Sequence, residues 1–175
     1  SHQFVIENPR LWWPVGWGDQ NLYRFVFVVD DEQEKEKMLW EQTTGFRQTK
    51  LVMNEGTWDE PSQFPKSRSL PPITLEINGQ RIFACGTNWV HPEVFPGHIT
   101  DERYSELLEM AKDSHFNLLR VWGGGIVNKD FFYEWCDRHG LMVWQEFPLA
   151  CNNYPDSPEY LEVLKRETTS IVERL

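Results

Sequence analysis

The run Asn117-Leu118-Leu119-Arg120-Val121-Trp122-Gly123-Gly124-Gly125 constrains this chain most, because a short apolar strand there delivers an arginine and a tryptophan to a triple-glycine turn. A continuous apolar strand without polar alternation is the mark of a parallel sheet. Residues at the carboxyl end of such a strand face the ligand side of an α/β fold, which makes Arg120 and Trp122 candidate pocket residues.

The surrounding segments repeat the theme. Thr100 reads as the N-cap of a helix with Asp101 and Glu102 in its first turn and an apolar stripe of Tyr104, Leu107, Leu108 and Ala111. A second helix is expected over 128–139, burying Phe131, Phe132, Trp135 and Cys136 and ending at Gly140, and a third strand over Leu141 to Glu146. A last helix takes Ser157 as cap and Pro158 at its first position, with Tyr160, Leu161, Leu164, Thr168, Ile171, Val172 and Leu175 on one face. Strand-helix alternation with short connections implies a parallel sheet or barrel, but three such units fall short of the eight strands and roughly 250 residues of a complete (β/α)8 barrel. The chain is therefore expected to be a fragment that needs the remainder of the same polypeptide to cover its sheet.

The first half reads differently. Leu22 to Val29 is a strand rich in Tyr, Phe and Val, the charged run from Asp30 to Lys37 reads as a solvated hairpin loop, and a second strand is expected from Met38 to Thr43. Between Glu55 and Pro72 the composition turns to Pro, Ser and charge, which marks a boundary and divides the chain into 1–72 and 73–175. A hairpin then opens the second half: Thr74 to Ile77 and Gln80 to Ala84 flank Asn78-Gly79, a pair suited to the positive φ angles of a type I′ turn.

Composition excludes several classes of partner. A formal charge of -10 opposes tight binding to nucleic acid or an anionic membrane, since phosphate neutralisation needs clustered Lys and Arg. No signal-peptide pattern is present, and no apolar run approaches the roughly 18 residues of a membrane span. Cys85, Cys136 and Cys151 have no CxxC spacing and read as small apolar residues in or near cores. His91, His98, His115 and His139 have no paired-ligand spacing, so no metal or other cofactor is expected. Gly123 to Gly125 match neither a phosphate loop nor a dinucleotide fingerprint and read as a tight βα turn.

The chemistry gathers where the three strands end, at Gly86-Thr87-Asn88-Trp89, at Arg120-Val121-Trp122 and at Trp144-Gln145-Glu146-Phe147. Indole faces suit the C–H faces of a pyranose, and Asn, Arg, Gln and Glu side chains can hydrogen-bond its hydroxyls. Periodicity alone divides Trp89 and Trp122 evenly between pocket and core. Arg120 on an apolar strand demands a carboxylate, either Glu146 or one belonging to a site, and Glu146 reads as a brace for Arg120 or a ligand hydroxyl more readily than as a catalytic group.

Taken in order, Leu11-Trp12-Trp13-Pro14 with 16–23, Thr44-Gly45-Phe46-Arg47, Ile77-Asn78-Gly79, Gly86-Thr87-Asn88-Trp89, 119–125, Phe132-Tyr133-Glu134-Trp135-Cys136-Asp137 and Val143-Trp144-Gln145-Glu146-Phe147 resemble glycoside hydrolase family 2, and within it the β-mannosidase branch. The resemblance covers nearly the whole chain. It implies a partial immunoglobulin-like sandwich over 1–72 and the first three βα units of a (β/α)8 barrel over 73–175, within an enzyme that hydrolyses β-mannosides with retention. Retention uses two glutamates about 5 to 5.5 Å apart. The family's acid/base follows an Asn at the end of strand four and its nucleophile lies near strand seven, so no catalytic residue is expected here and the chain alone should be inactive. The implied substrate contacts are Trp122, Trp89, Asn88, Arg120 and Glu146, with Glu93 a weaker candidate. Where the family pattern has aspartates, this chain has Glu93 and Glu146, which extends each carboxylate by about one C–C bond. Other family 2 exo-glycosidases (β-galactosidase, β-glucuronidase or exo-glucosaminidase), a glycan-binding module without catalysis, and a purely structural domain remain the alternatives.

Overall fold

The computed structural model describes residues 5–31, 34–55 and 73–175. Two compact units, Ser1–Ala84 and Cys85–Leu175, make up the chain.

The first unit is antiparallel. Strands β1 (Tyr23–Asp31) and β2 (Glu34–Thr44) pair as a long hairpin, with register irregularities between Phe27 and Val28 and between Val29 and Asp31. The ladder extends through most of the charged run, because backbone pairing needs no apolar side chains once a register is set. Asp31 pairs with Glu34, so the loop expected over Asp30 to Lys37 shrinks to a tip whose residues 32 and 33 lie outside the described residues.

Strand β3 (Thr49–Met53) joins β4 (Ile73–Ile77) and β5 (Gln80–Ile82) in a second antiparallel sheet. The β4–β5 turn has Asn78 at φ 50° and Gly79 at φ 80°, the left-handed pair its sequence implies. Asn78 does more than turn: its Oδ1 accepts from Gln48 N at 2.8 Å and its Nδ2 donates to Trp12 O at 3.0 Å. Trp12 is 1 % exposed and shares the buried set with Ile77 and Ile82, while the Arg47 guanidinium lies 4.6 Å from its ring centroid.

All five residues of β3 pair with β4, so the hairpin belongs to the first unit. The division between compact units therefore falls at 84/85, later than the 72/73 boundary read from composition. The Pro- and Ser-rich segment at that earlier boundary lies, from residue 56 to 72, outside the described residues.

The second unit alternates strand and helix. Strands β6 (Gly86–Trp89), β7 (Leu118–Val121) and β8 (Met142–Gln145) are parallel and in sequence order, and they alternate with α1 (Asp101–Asp113), α2 (Asp130–His139) and α3 (Pro158–Arg174). Thr100 caps α1 by accepting from Arg103 N at 3.2 Å, Gly140 ends α2 at φ 82°, and Ser157 caps α3 ahead of Pro158. Tyr104, Leu108, Leu119, Val121, Phe132, Trp135 and Cys136 form the core.

Two expectations need correcting here. Of the stripe assigned to α3 only Ile171 is buried, and Leu161, Val172 and Leu175 are exposed. Cys151 is likewise exposed, in contrast to buried Cys136 and half-buried Cys85.

Strand β6 needs Gly86 at its start, because a methyl group there would lie 1.6 Å from the Leu118 carbonyl oxygen across the parallel ladder. Backbone cannot yield as a flexible side chain can. Gly86→Ala is expected to cost about 3 kcal/mol or more, since the strands must part. Urea denaturation of parent and variant measures it, and a loss under about 1 kcal/mol would show that the strands tolerate the methyl.

Candidate functional site

Side chains alternate faces along a strand, and register partners in a parallel sheet share a face. Asn88, Arg120 and Trp144 are register partners across β6, β7 and β8, and so are Trp89, Val121 and Gln145. Helices α1 and α2 cover the second set, as shown by Trp89 against Tyr104 and Phe132 with ring centroids 6.3 and 4.9 Å apart. The first set thus occupies the opposite face. Beyond the strand ends the chains stay in step, since Trp122 N donates to Trp89 O at 3.3 Å and Glu146 N to Val121 O at 3.1 Å.

That alignment brings three of the expected residues into one cluster. Arg120 donates from Nε to Glu146 Oε1 at 2.6 Å, with Nη2 2.5 Å from the same oxygen, and from Nη1 to Asn88 Oδ1 at 2.9 Å. The other carboxylate oxygen, Glu146 Oε2, accepts from Gly123 N at 2.9 Å. Both guanidinium nitrogens therefore converge on one oxygen, because the second is already committed to the glycine turn. With side chains 34 % and 24 % exposed, the pair is shielded but not sealed.

The Gly123 N–H, above all, holds the Glu146 carboxyl below its ordinary range; burial opposes this and the Arg120 hydrogen bond and charge reinforce it. A carboxylate so stabilised and bonded at both oxygens is a clamp, not a proton donor near neutral pH. It fixes Arg120, which in turn fixes Asn88. Since Asn88 Oδ1 accepts from Arg120, the Asn88 amide turns its NH₂ donor away from the guanidinium.

Trp122 is half-buried at the start of the glycine turn, which Gly125 N closes by donating to Trp122 O at 3.0 Å. None of the three glycines has a left-handed φ. At Gly123 the requirement is close approach: a methyl there would lie 2.5 Å from the carbonyl oxygens of both Phe147 and Leu149.

Trp89 lies apart from these three. Period two sends it, half-buried, to the helix-covered face, where its Nε1 donates to Asn128 Oδ1 at 3.2 Å and it takes no part in the hydrogen bonds of the polar cluster. Gln145 follows it, accepting at Oε1 from the Tyr133 hydroxyl at 2.6 Å. Glu93 is exposed in the loop after β6 and takes no part in the hydrogen bonds that join Asn88, Arg120 and Glu146.

Behind the strand ends lies a polar network that the sequence reading missed. Asn128 is 4 % exposed. Its Oδ1 accepts from both Trp89 and the Tyr104 hydroxyl at 3.2 Å, its N donates to the Tyr133 hydroxyl at 3.3 Å, and its O accepts from Arg174 Nη2 at 2.6 Å. Gln145 passes the network forward, donating from Nε2 to Glu146 O at 2.7 Å. Burial pushes the Tyr104 and Tyr133 hydroxyls up, which keeps both protonated as donors. The one available signal was an asparagine directly before an apolar helix, and that reads equally well as a cap.

Among the described residues no group of three His, Cys, Asp or Glu is arranged to hold a metal ion. The cluster can present an oriented amide, a guanidinium and an indole to a polar ligand.

Breaking a buried ion pair costs about 3–5 kcal/mol, and partial exposure of this one reduces the expected cost of Glu146→Ala to about 2 kcal/mol. The folded pKa lies below the unfolded value, so Glu146 contributes fully above about pH 4.3 and loses its contribution as pH falls through the lower folded value. The stability difference between the parent and Glu146→Gln, from denaturant titrations, is expected to close in acid. A difference that persists unchanged there would refute the clamp.

A family model described as glycosyl hydrolases family 2 matches residues 1–47. The chain is 35% identical over 172 residues to beta-mannosidase B of Emericella nidulans and 33% identical over 175 residues to that of Thermothelomyces thermophilus, covering in each case 98% of this chain and 19% of the relative. It thus spans about a fifth of the length of the curated relatives it matches. Among solved structures, the beta-D-mannosidase of Dictyoglomus thermophilum superposes with a TM-score of 0.82 at 39% identity, over 97% of this chain and 20% of that one. A beta-glucuronidase of Bacteroides uniformis shares the fold at TM-score 0.69 and 22% identity, over 95% of this chain and 18% of its own. Matched over residues 1–47 by the family model and along almost its whole length, in sequence and in fold, by beta-mannosidases, the chain resembles the β-mannosidases of glycosyl hydrolases family 2.

Proposed function

We propose that this chain is the junction segment of a retaining β-mannosidase, in which the end of an immunoglobulin-like sandwich, within Ser1–Ala84, leads into the first three βα units of a (β/α)8 barrel, within Cys85–Leu175. The observation that carries the reading is the likeness to β-mannosidases over 98% of the chain by sequence and 97% by structure. Three parallel strands followed by helices, with a polar cluster at their carboxyl ends, accord with the start of such a barrel and its ligand-facing rim.

In this reading the catalytic glutamates lie in the rest of the polypeptide, and this segment supplies the floor on which a mannoside rests. Trp122 offers an indole face to the sugar's C–H surface. The Asn88 amide donates to a hydroxyl, while Arg120 and Glu146 hold it in place. The segment's contribution is thus position, which matters because a misplacement of about 1 Å can cost on the order of a hundredfold in rate.

The test is a panel of aryl β-mannoside, β-glucoside, β-galactoside and β-glucosaminide offered to the full-length protein. Preference for the mannoside, with the anomeric configuration of the released sugar retained, is expected; preference for another glycoside moves the assignment within the family, and glycan binding without turnover supports a binding module. Trp122→Ala is expected to lower kcat/KM at least about tenfold, equivalent to about 1.4 kcal/mol, with the melting temperature held. Unaltered turnover would remove Trp122 from the substrate site.

A further inference from the structure

We infer that Gly124 is a positioning residue: its bare Cα supports the Trp122 indole and sets the plane in which that ring meets a ligand. The packing stands on geometry alone, and its consequence for turnover rests on the proposed role of Trp122.

A methyl group on Gly124 would lie 2.1 Å from Trp122 Cη2, 2.2 Å from Cζ2 and 2.5 Å from Cζ3. Three adjacent ring carbons at such similar distances place the missing methyl over the face of the six-membered ring, since an approach along its edge would separate the distances more widely. Gly124 therefore covers one face of the indole. Both sides of the Trp122 backbone are tied, its N to Trp89 O at 3.3 Å and its O to Gly125 N at 3.0 Å. A side chain at 124 must accordingly swing the ring about its χ angles instead of shifting the strand.

The neighbouring glycines do not share this role. Gly123 is crowded by the carbonyl oxygens of Phe147 and Leu149, and a methyl on Gly125 would meet Trp122 O at 3.1 Å and His91 Cε1 at 3.3 Å. Gly124 has no left-handed φ, so its backbone accepts alanine without strain. Gly124→Ala is thus a selective lever on the Trp122 ring.

The experiment uses the full-length protein labelled with 5-fluorotryptophan. The ¹⁹F resonance of Trp122 is identified by its disappearance in Trp122→Phe, and Gly124→Ala is expected to move that line by more than its width while the others hold. On the glycoside that the parent cleaves, Gly124→Ala is expected to lower kcat/KM at least about tenfold, yet less than about twofold when introduced beside Trp122→Ala. An unmoved resonance, or an equal loss in both backgrounds, overturns the inference. A moved resonance with unchanged turnover overturns the role in ligand presentation, and leaves the β-mannosidase assignment to be judged by the parent's preference among glycosides. Should Gly124→Ala fail to fold, the double variant with Trp122→Phe, whose smaller ring clears the methyl, is expected to fold; its failure too would overturn the proposal.

Discussion

A guanidinium on a short apolar strand can persist only if a carboxylate meets it, and the sheet face of the second unit opposite α1 and α2 is arranged around that demand. Glu146 reaches back across the strand ends to bind Arg120 through one oxygen and the Gly123 amide through the other. The turn after β7, the end of β8 and the Asn88 amide on β6 are thereby referred to one side chain. Three parallel strands ordinarily share only backbone bonds; here one carboxylate also fixes what lies beyond them. An ion pair in this setting adds little net stability over an apolar replacement. Its effect is orientation, since it sets the angles at which the guanidinium, the Asn88 amide and the glycine turn are held.

Local rules made much of the helical half legible. Thr100 and Ser157 cap as their residue types dictate, Gly140 takes the left-handed conformation that ends α2, and Asn78-Gly79 forms its turn, because each outcome depends on neighbours within a few residues. Strand β3 escaped for the opposite reason. Thr49–Met53 is marked by nothing in its own sequence as the partner of Ile73–Ile77, which returns to it across the Pro- and Ser-rich segment. The same non-local pairing moved the hairpin from the second unit to the first. The extent of the β1–β2 ladder was hidden by composition, since charge marks solvent exposure and leaves backbone pairing open.

At the site, the residue types were readable but their side of the sheet was not. Arg120 required a carboxylate, and the cluster with Asn88 and Glu146 answers that requirement. Trp89 follows Asn88, and period two alone sends it to the other face. Apolar alternation is absent in such a strand, so only the register with Arg120 shows which neighbour joins the polar cluster. The triple glycine forms the turn it was read as, but what its residues serve there is close approach by carbonyl oxygens and by an indole, with no left-handed backbone. Crowding of that kind exists only in three dimensions.

The network around Asn128 carries an implication for the order in which the second unit can be assembled. Its contacts join residues 24, 39 and 46 positions apart in sequence, reaching from Trp89 at the end of β6 to Arg174 in the last turn of α3. Until α3 has been synthesised and docked, the Asn128 carbonyl has no guanidinium to receive, although the indole and phenol that meet its side chain are already in the chain. Contacts of such separation pay loop-closure entropy before they return any bonding. Near its carboxyl end the helix contributes buried Ile171 and the Arg174 guanidinium, which donates to Asp130 and to the Asn128 carbonyl. Completion of this network thus waits on the end of α3, and it falls at the residue that also holds the far end of β6.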